Sequence, residues 1–217
     1  VFDFTNLSEA DWMLLAQGLM ATLRISFISL LLALPIGCAL GFFRYLNVPV
    51  CSALVGVCID GIRIIPLILY LVLMFLVLPF DPEIRAIFTL ATFNGANIAE
   101  IIRGGLRSIP EAQWQSAKQL GLSRQQILFS VVLPQVLQKM LPALVNQASV
   151  IIKDSTLVSM GVLEMTKAIQ ILNMRHIEST MACLILTGGV YFILSALLCE
   201  LSTRWDAPPN RLAHATR

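Results

Sequence analysis

Residues 108–147, SIPEAQWQSAKQLGLSRQQILFSVVLPQVLQKMLPALVNQ, form a polar, amphipathic island between long apolar runs. Gly121 sits in the middle of its polar part, and Leu133-Pro134 returns the chain to apolar sequence. A bilayer core offers no water to such a segment, so it belongs outside the hydrocarbon. A helix–turn–helix projecting there gives a partner something to grip. The island therefore marks this chain as the moving part of a larger assembly.

Composition supports a membrane setting. Of the 217 residues, 57% are hydrophobic and 13% charged, and mean hydropathy is +0.81. Soluble domains are about 25% charged, so this chain has too little polar surface to cover itself in water. A net charge of +2 gives no reason to expect nucleic acid. The start, VFDFTNLSEADW, is acidic and the apolar run after it is too long for a cleavable signal. Cys38, Cys51, Cys58, Cys183 and Cys199 fit no CxxC spacing and have no histidine beside them. We expect them to be small apolar packing residues, with no metal. No linker or low-complexity stretch divides 1–217, so one transmembrane domain is expected.

A helix needs roughly 20 apolar residues to span the bilayer core. Five stretches approach this: about 19–43, 50–78, 84–102, 131–152 and 180–201. Residues 1–18 read as an outer segment with a short interfacial helix anchored by Trp12. Residues 155–178 read as a short helix and loop partly packed on the bundle. Arginine and lysine set the orientation. With the N-terminus outside, the inner segments hold Arg44, Arg103, Arg107, Lys118, Arg124, Arg204, Arg211 and Arg217, against Arg85, Lys167 and Arg175 outside. The expectation is N-out and C-in, with 108–130 and a tail at 202–217 in the cytoplasm.

Pro35, Pro66, Pro134 and Pro142 are expected to kink their helices. Gly37, Gly41, Gly188 and Gly189 offer close helix contacts, with packing inside the chain the ordinary reading of Gly37-x-x-x-Gly41. Arg24 reads as snorkelling to the interface. Asp60 and Arg63 share a helix face near mid-membrane. They either pair with each other or line a water-filled path, since an isolated charge there costs about 2.5–3.5 kcal/mol. Glu100 and Arg103 repeat the i, i+3 spacing, and Asn94 and Asn97 can bond across helices or to a solute. Lys153-Asp154-Ser155-Thr156 reads either as an unwound segment facing a cavity or as a plain helix end. There is no phosphate loop, HExxH or GxSxG, and the histidines His176 and His214 have no matching ligand cluster, so no catalytic centre is expected.

The island resembles the cytoplasmic coupling loop, the "EAA loop", of bacterial ABC importer permeases. The family pattern is Glu-Ala-Ala, three residues, Gly, nine residues, Ile-x-Leu-Pro. Here Gln115-Ser116-Ala117 is followed by Gly121 and then Val131-Val132-Leu133-Pro134. Gln115 stands where the family has Glu, and Ser116 where it has Ala. Ala99-Glu100-Ile101-Ile102-Arg103-Gly104-Gly105-Leu106 with Ser108-Ile109-Pro110 is similar to a stretch of the polar amino acid subgroup. So are Arg63-Ile64-Ile65-Pro66, Leu133-Pro134-Gln135 and Lys153-Asp154-Ser155-Thr156-Leu157. The resemblance covers about 18–200.

It implies an all-α, five-helix permease of the type I importer fold in a bacterial inner membrane. Such a permease carries polar L-amino acids by ATP-driven alternating access and is not itself an enzyme. The implied partners are two ATPase subunits, which hold ATP and Mg, a second permease chain that is identical or homologous, an extracytoplasmic amino-acid-binding protein, and membrane lipid. The implied coupling residues are Glu111, Gln115, Ser116, Ala117, Leu120, Gly121 and Leu122. The expected path or gate residues are Arg63, Glu100, Lys153, Asp154, Ser155 and Thr156. A helix over 111–120 should end at a positive-φ Gly121, and Ser123 should cap the next. The competing expectation is an ion-gradient-coupled secondary transporter or channel subunit, with Asp60 and Glu100 as proton or sodium sites. Such carriers often show internal repeats, and none is convincing here.

Overall fold

The computed structural model describes residues 7–46 and 49–206, and within them the chain is helical. Its elements are α1 (Glu9–Tyr45), α2 (Pro49–Ile64), α3 (Leu67–Val77), α4 (Pro82–Arg107), α5 (Glu111–Gln119) and α6 (Arg124–Gln126). A π turn (Ile127–Val132) then leads into α7 (Leu133–Asp154), followed by a 3₁₀ turn (Ser155–Met160), α8 (Met165–Arg175), a second 3₁₀ turn (Ile177–Ser179) and α9 (Thr180–Asp206).

Ser8 starts α1 with a capping box, exchanging hydrogen bonds with Asp11. The expected separate interfacial helix does not form: its residues continue without a break into the 37-residue α1. Near its N-terminal end Asp11 is buried and meets Arg175 at 3.4 Å and His176 at 3.2 Å, tying the start of α1 to the end of α8. The tail expected at 202–217 continues α9 as far as Asp206, and the rest of it lies outside the described residues, as do residues 1–6.

The prolines act unequally. Pro66 breaks the expected second span into α2 and α3, bent by 107°. Pro35 and Pro142 lie inside helices that continue through them. The π turn precedes Pro134, whose missing N–H denies the Ser130 carbonyl its usual donor. By length and composition three helical stretches can cross a membrane, or four with the bent pair as one. α4, expected to span, is outside that count because polar residues interrupt it. Its 26 residues still extend about 39 Å.

α4 is the axis of the bundle. α1 packs along it, and α2, α3 and α7 close its other sides. Gly37 and Gly41 make the α1 contact possible: a Cβ at either would collide with Ile98, or with Ala99 and Ile102. This is packing inside the chain, as expected. Gly188 and Gly189 instead open onto free space. One apolar core joins Ile98, Ile102 and Leu106 of α4 to Ala117, Val132 and Val136. A second joins Leu15 to Met165, Ile169 and Leu172 of α8, and to Cys183. The cysteine expectation holds for buried Cys183 alone, since Cys38, Cys51, Cys58 and Cys199 are exposed, and all five are free thiols. They face away from the core because their helices each bury only one side.

Candidate functional site

Asn94, Asn97, Glu100 and Arg103 recur every three residues along α4. Three residues fall short of a 3.6-residue turn by about 60°, so the row winds around the helix instead of following one face. Its members therefore reach different helices, except Arg103, which turns back to Glu100. Asn94, fully buried, accepts from Gln147 Nε2 at 2.6 Å and donates to Asp154 Oδ2 at 3.2 Å, both on α7. Asn97 accepts from Arg63 Nε on α2 at 3.1 Å. Glu100 takes Arg103 at 2.7 Å and Arg44 from the end of α1. Arg44 also holds Asp60 of α2 at 2.8 Å. The row thus links three helices to the bundle axis through side chains that hydrocarbon alone would not tolerate.

This arrangement revises the expected pairings. Asp60 and Arg63 share a helix, yet Asp60 pairs with Arg44 and Arg63 with Asn97. The Glu100–Arg103 pair forms as expected. Arg24 is held by Glu83 at 2.7 Å and not left to snorkel alone. Lys153 and Asp154 end α7, and Ser155 and Thr156 begin a tightened 3₁₀ turn, so the segment is not unwound. The hydroxyl of Ser155 donates to Ile152 O and that of Thr156 to Lys153 O, each at 2.7 Å. Lys153 is exposed, and its side chain makes no hydrogen bond among the described residues. Of the six expected path residues, Arg63, Glu100 and Asp154 join the α4 row. Lys153, Ser155 and Thr156 do not.

Three contributors escaped the sequence reading. Arg44 looked like one more base at an inner helix end; only the approach of α1 to α2 and α4 reveals its two carboxylate partners. Gln147 lay unremarked in an apolar run. Glu164, fully buried, caps α8 by accepting from Thr166 N at 2.9 Å and Lys167 N at 2.8 Å. It also accepts from Tyr191 of α9 at 3.1 Å and faces Thr22 of α1. A glutamate just before a helix was the available signal.

The 108–130 segment forms an elbow. Pro110 precedes α5 and Glu111 opens it, where a carboxylate suits the exposed N–H groups. Gly121 has φ 79°, with Gly121 N donating to Lys118 O and Leu122 N to Ala117 O, a Schellman ending. Ser123 then caps α6 in a capping box with Gln126. Ala117 is buried and Leu122 half-buried against the core, whereas Glu111, Gln115, Ser116, Leu120 and Gly121 are exposed. Among the described residues no group of three or more His, Cys, Asp or Glu could hold a metal.

Residues 33–208 match the family described as "Binding-protein-dependent transport system inner membrane component". The chain is 35% identical over 207 residues to the probable glutamine ABC transporter permease protein GlnP of Bacillus subtilis, covering 92% of this chain and 95% of that one. It is 34% identical over 202 residues to the glutamine transport system permease protein GlnP of Escherichia coli K12, covering 88% and 92%. The glutamate transport system permease protein GluD of Corynebacterium glutamicum is 32% identical over 197 residues, covering 86% and 71%. Among solved structures, an amino acid ABC transporter with histidines has the same fold, with a TM-score of 0.86 at 24% identity over 95% of this chain and 98% of that one. The chain belongs to the binding-protein-dependent transport system inner membrane component family.

Proposed function

We propose that the chain is the permease subunit of an ABC importer for polar amino acids, with glutamine and glutamate the first substrates to test. The observation that carries this reading is the winding polar row on the most enclosed helix. Carboxylates and guanidiniums at that depth need partners or water. Arg63 is exposed and has one neutral partner, Asn97, which leaves guanidinium N–H groups for a substrate carboxylate. Asp154, fixed by Asn94, offers an acceptor to a substrate ammonium. Asp60 and Glu100 are held by arginines, which disfavours them as freely exchanging proton or sodium sites.

In this reading α4 is the third of five spans, its polarity enclosed by its neighbours, and the single domain has its N-terminus outside and C-terminus inside. The α5 elbow is the coupling element. Two ATPase subunits, holding ATP and Mg, each grip one elbow, and a second permease chain, identical or homologous, completes the path. A binding protein delivers substrate. Closure of the ATPases shifts the permease pair between two states by binding one more tightly than the other. Reconstitution with the ATPase and binding protein tests this. Glutamine or glutamate should stimulate ATP hydrolysis, and Gly121→Asp, which imposes about 1–2 kcal/mol of left-handed strain, should leave insertion intact but abolish stimulation. Normal stimulation by Gly121→Asp would remove the elbow from the coupling role.

A further inference from the structure

α5 has two faces, and the expected coupling residues divide between them. Ala112, Ser116, Leu120 and Leu122 border a shallow apolar hollow on one face. The other face turns Glu111, Trp114 and Lys118 toward the end of α1. There, with Tyr45 and Arg124, it borders a separate groove of about 320 Å³, floored by Phe42, Leu46 and Leu128. Lys118 and Arg124 are exposed, and neither side chain has an ion-pair partner among the described residues. Two cations face one carboxylate, so the groove keeps a positive balance.

We infer that this groove binds the headgroup phosphate of an anionic phospholipid in the leaflet beside the elbow. Phosphate would sit between Lys118 and Arg124, and an acyl chain would run along Phe42, 37% exposed, and Leu46, 47% exposed. Tyr45 and Trp114 are amphipathic rings of the kind that settle at headgroup depth. Basic side chains beside membrane helices attract anionic headgroups. Glu111 biases the choice toward a singly charged phosphodiester and away from a more highly charged free phosphate. The inference rests on the function proposed above and adds to it that the groove side of α5, beside the end of α1, lies at the membrane surface. It adds a lipid that fixes the elbow from the side opposite Ser116 and Leu120.

Trp114 reports on the site directly. The chain has three tryptophans, so Trp12→Phe with Trp205→Phe leaves Trp114 as sole emitter. The full chain is placed in bilayers containing acyl-brominated phosphatidylglycerol or, separately, acyl-brominated phosphatidylcholine. Phosphatidylglycerol should quench Trp114 with a relative association constant about fivefold higher or more. Lys118→Gln with Arg124→Gln should erase the preference while leaving ordinary quenching, and Glu111→Gln should increase it. Equal quenching by both lipids would overturn the inference while leaving the elbow at the membrane. Displacement of the brominated phosphatidylglycerol by glycerol phosphate would assign the groove to a soluble phosphate instead. Absence of quenching by either lipid would overturn the placement of α5 itself.

Discussion

α4 and α9 are nearly equal in length, 26 and 27 residues, and opposite in character. α4 carries two asparagines, a glutamate and an arginine in one winding row, and buries Leu90, Asn94, Ile98 and Ile102. α9 is apolar nearly all round, yet Met181, Ile185, Phe192, Ile193 and Leu197 are exposed. In water the polar helix would be the outer one. In lipid the order inverts, because a bare side chain of hydrocarbon costs nothing against acyl chains while an unmatched amide or charge does. The same inversion fits α9 being apolar enough to cross a membrane by length and composition while α4 is not.

The contrast can be broken most sharply at the glycines. Gly37→Leu drives a side chain into Ile98 and the backbone of Gly95 on α4. It should destabilise the bundle by roughly 3 kcal/mol, the upper end of overpacking costs. Gly188→Leu on α9 meets open space and should change stability by less than about 0.5 kcal/mol. Thermal unfolding of both variants in the same detergent decides this. Equal losses would mean that the α9 face is as closely packed as the α1–α4 seam, by a partner.

A smaller effect is expected within α4. Asn94→Leu keeps the branched shape and heavy-atom count but strips Gln147 and Asp154 of their shared partner. We expect a loss of about 1–3 kcal/mol, together with weakened apparent substrate affinity because Asp154 is no longer aimed. Unchanged uptake KM with lowered thermal stability would make Asn94 purely structural. Phe192→Ala on α9 should cost least, below about 0.5 kcal/mol, as its ring already lies 72% exposed. Loss of complex assembly by Phe192→Ala would turn that face from a lipid-facing surface into a subunit interface.

What the sequence made legible follows the range of the forces involved. The elbow could be read in advance because its determinants are local: Gly121 for a positive φ, Ser123 with Gln126 for a capping box. The burial cost of charge singled out Arg63, Glu100, Lys153 and Asp154 without any contact being known; Lys153 is exposed and stays outside the row. The Glu100–Arg103 pair was legible from its i, i+3 spacing, but the partners on other helices were not. Arg44, Asn97 and Gln147 lie 16 to 56 residues from the groups they hold, and which helix sides meet is fixed by packing. Asp60 and Arg63 show this directly: their spacing left pairing with each other open, and each found a partner on another helix. Periodicity likewise cannot tell a proline that breaks a helix, Pro66, from ones that do not, Pro35 and Pro142.

The central claim, that the polar row on α4 faces a substrate path and α9 faces lipid, is tested most directly by thiol accessibility. In a cysteine-free chain reconstituted with its ATPase and binding protein, Asn97→Cys and Phe192→Cys are exposed to a charged, membrane-impermeant thiol reagent. The account predicts that Asn97→Cys reacts and is protected by transported amino acid, while Phe192→Cys stays unlabelled in lipid. An inert Asn97→Cys beside a reactive Phe192→Cys would contradict it.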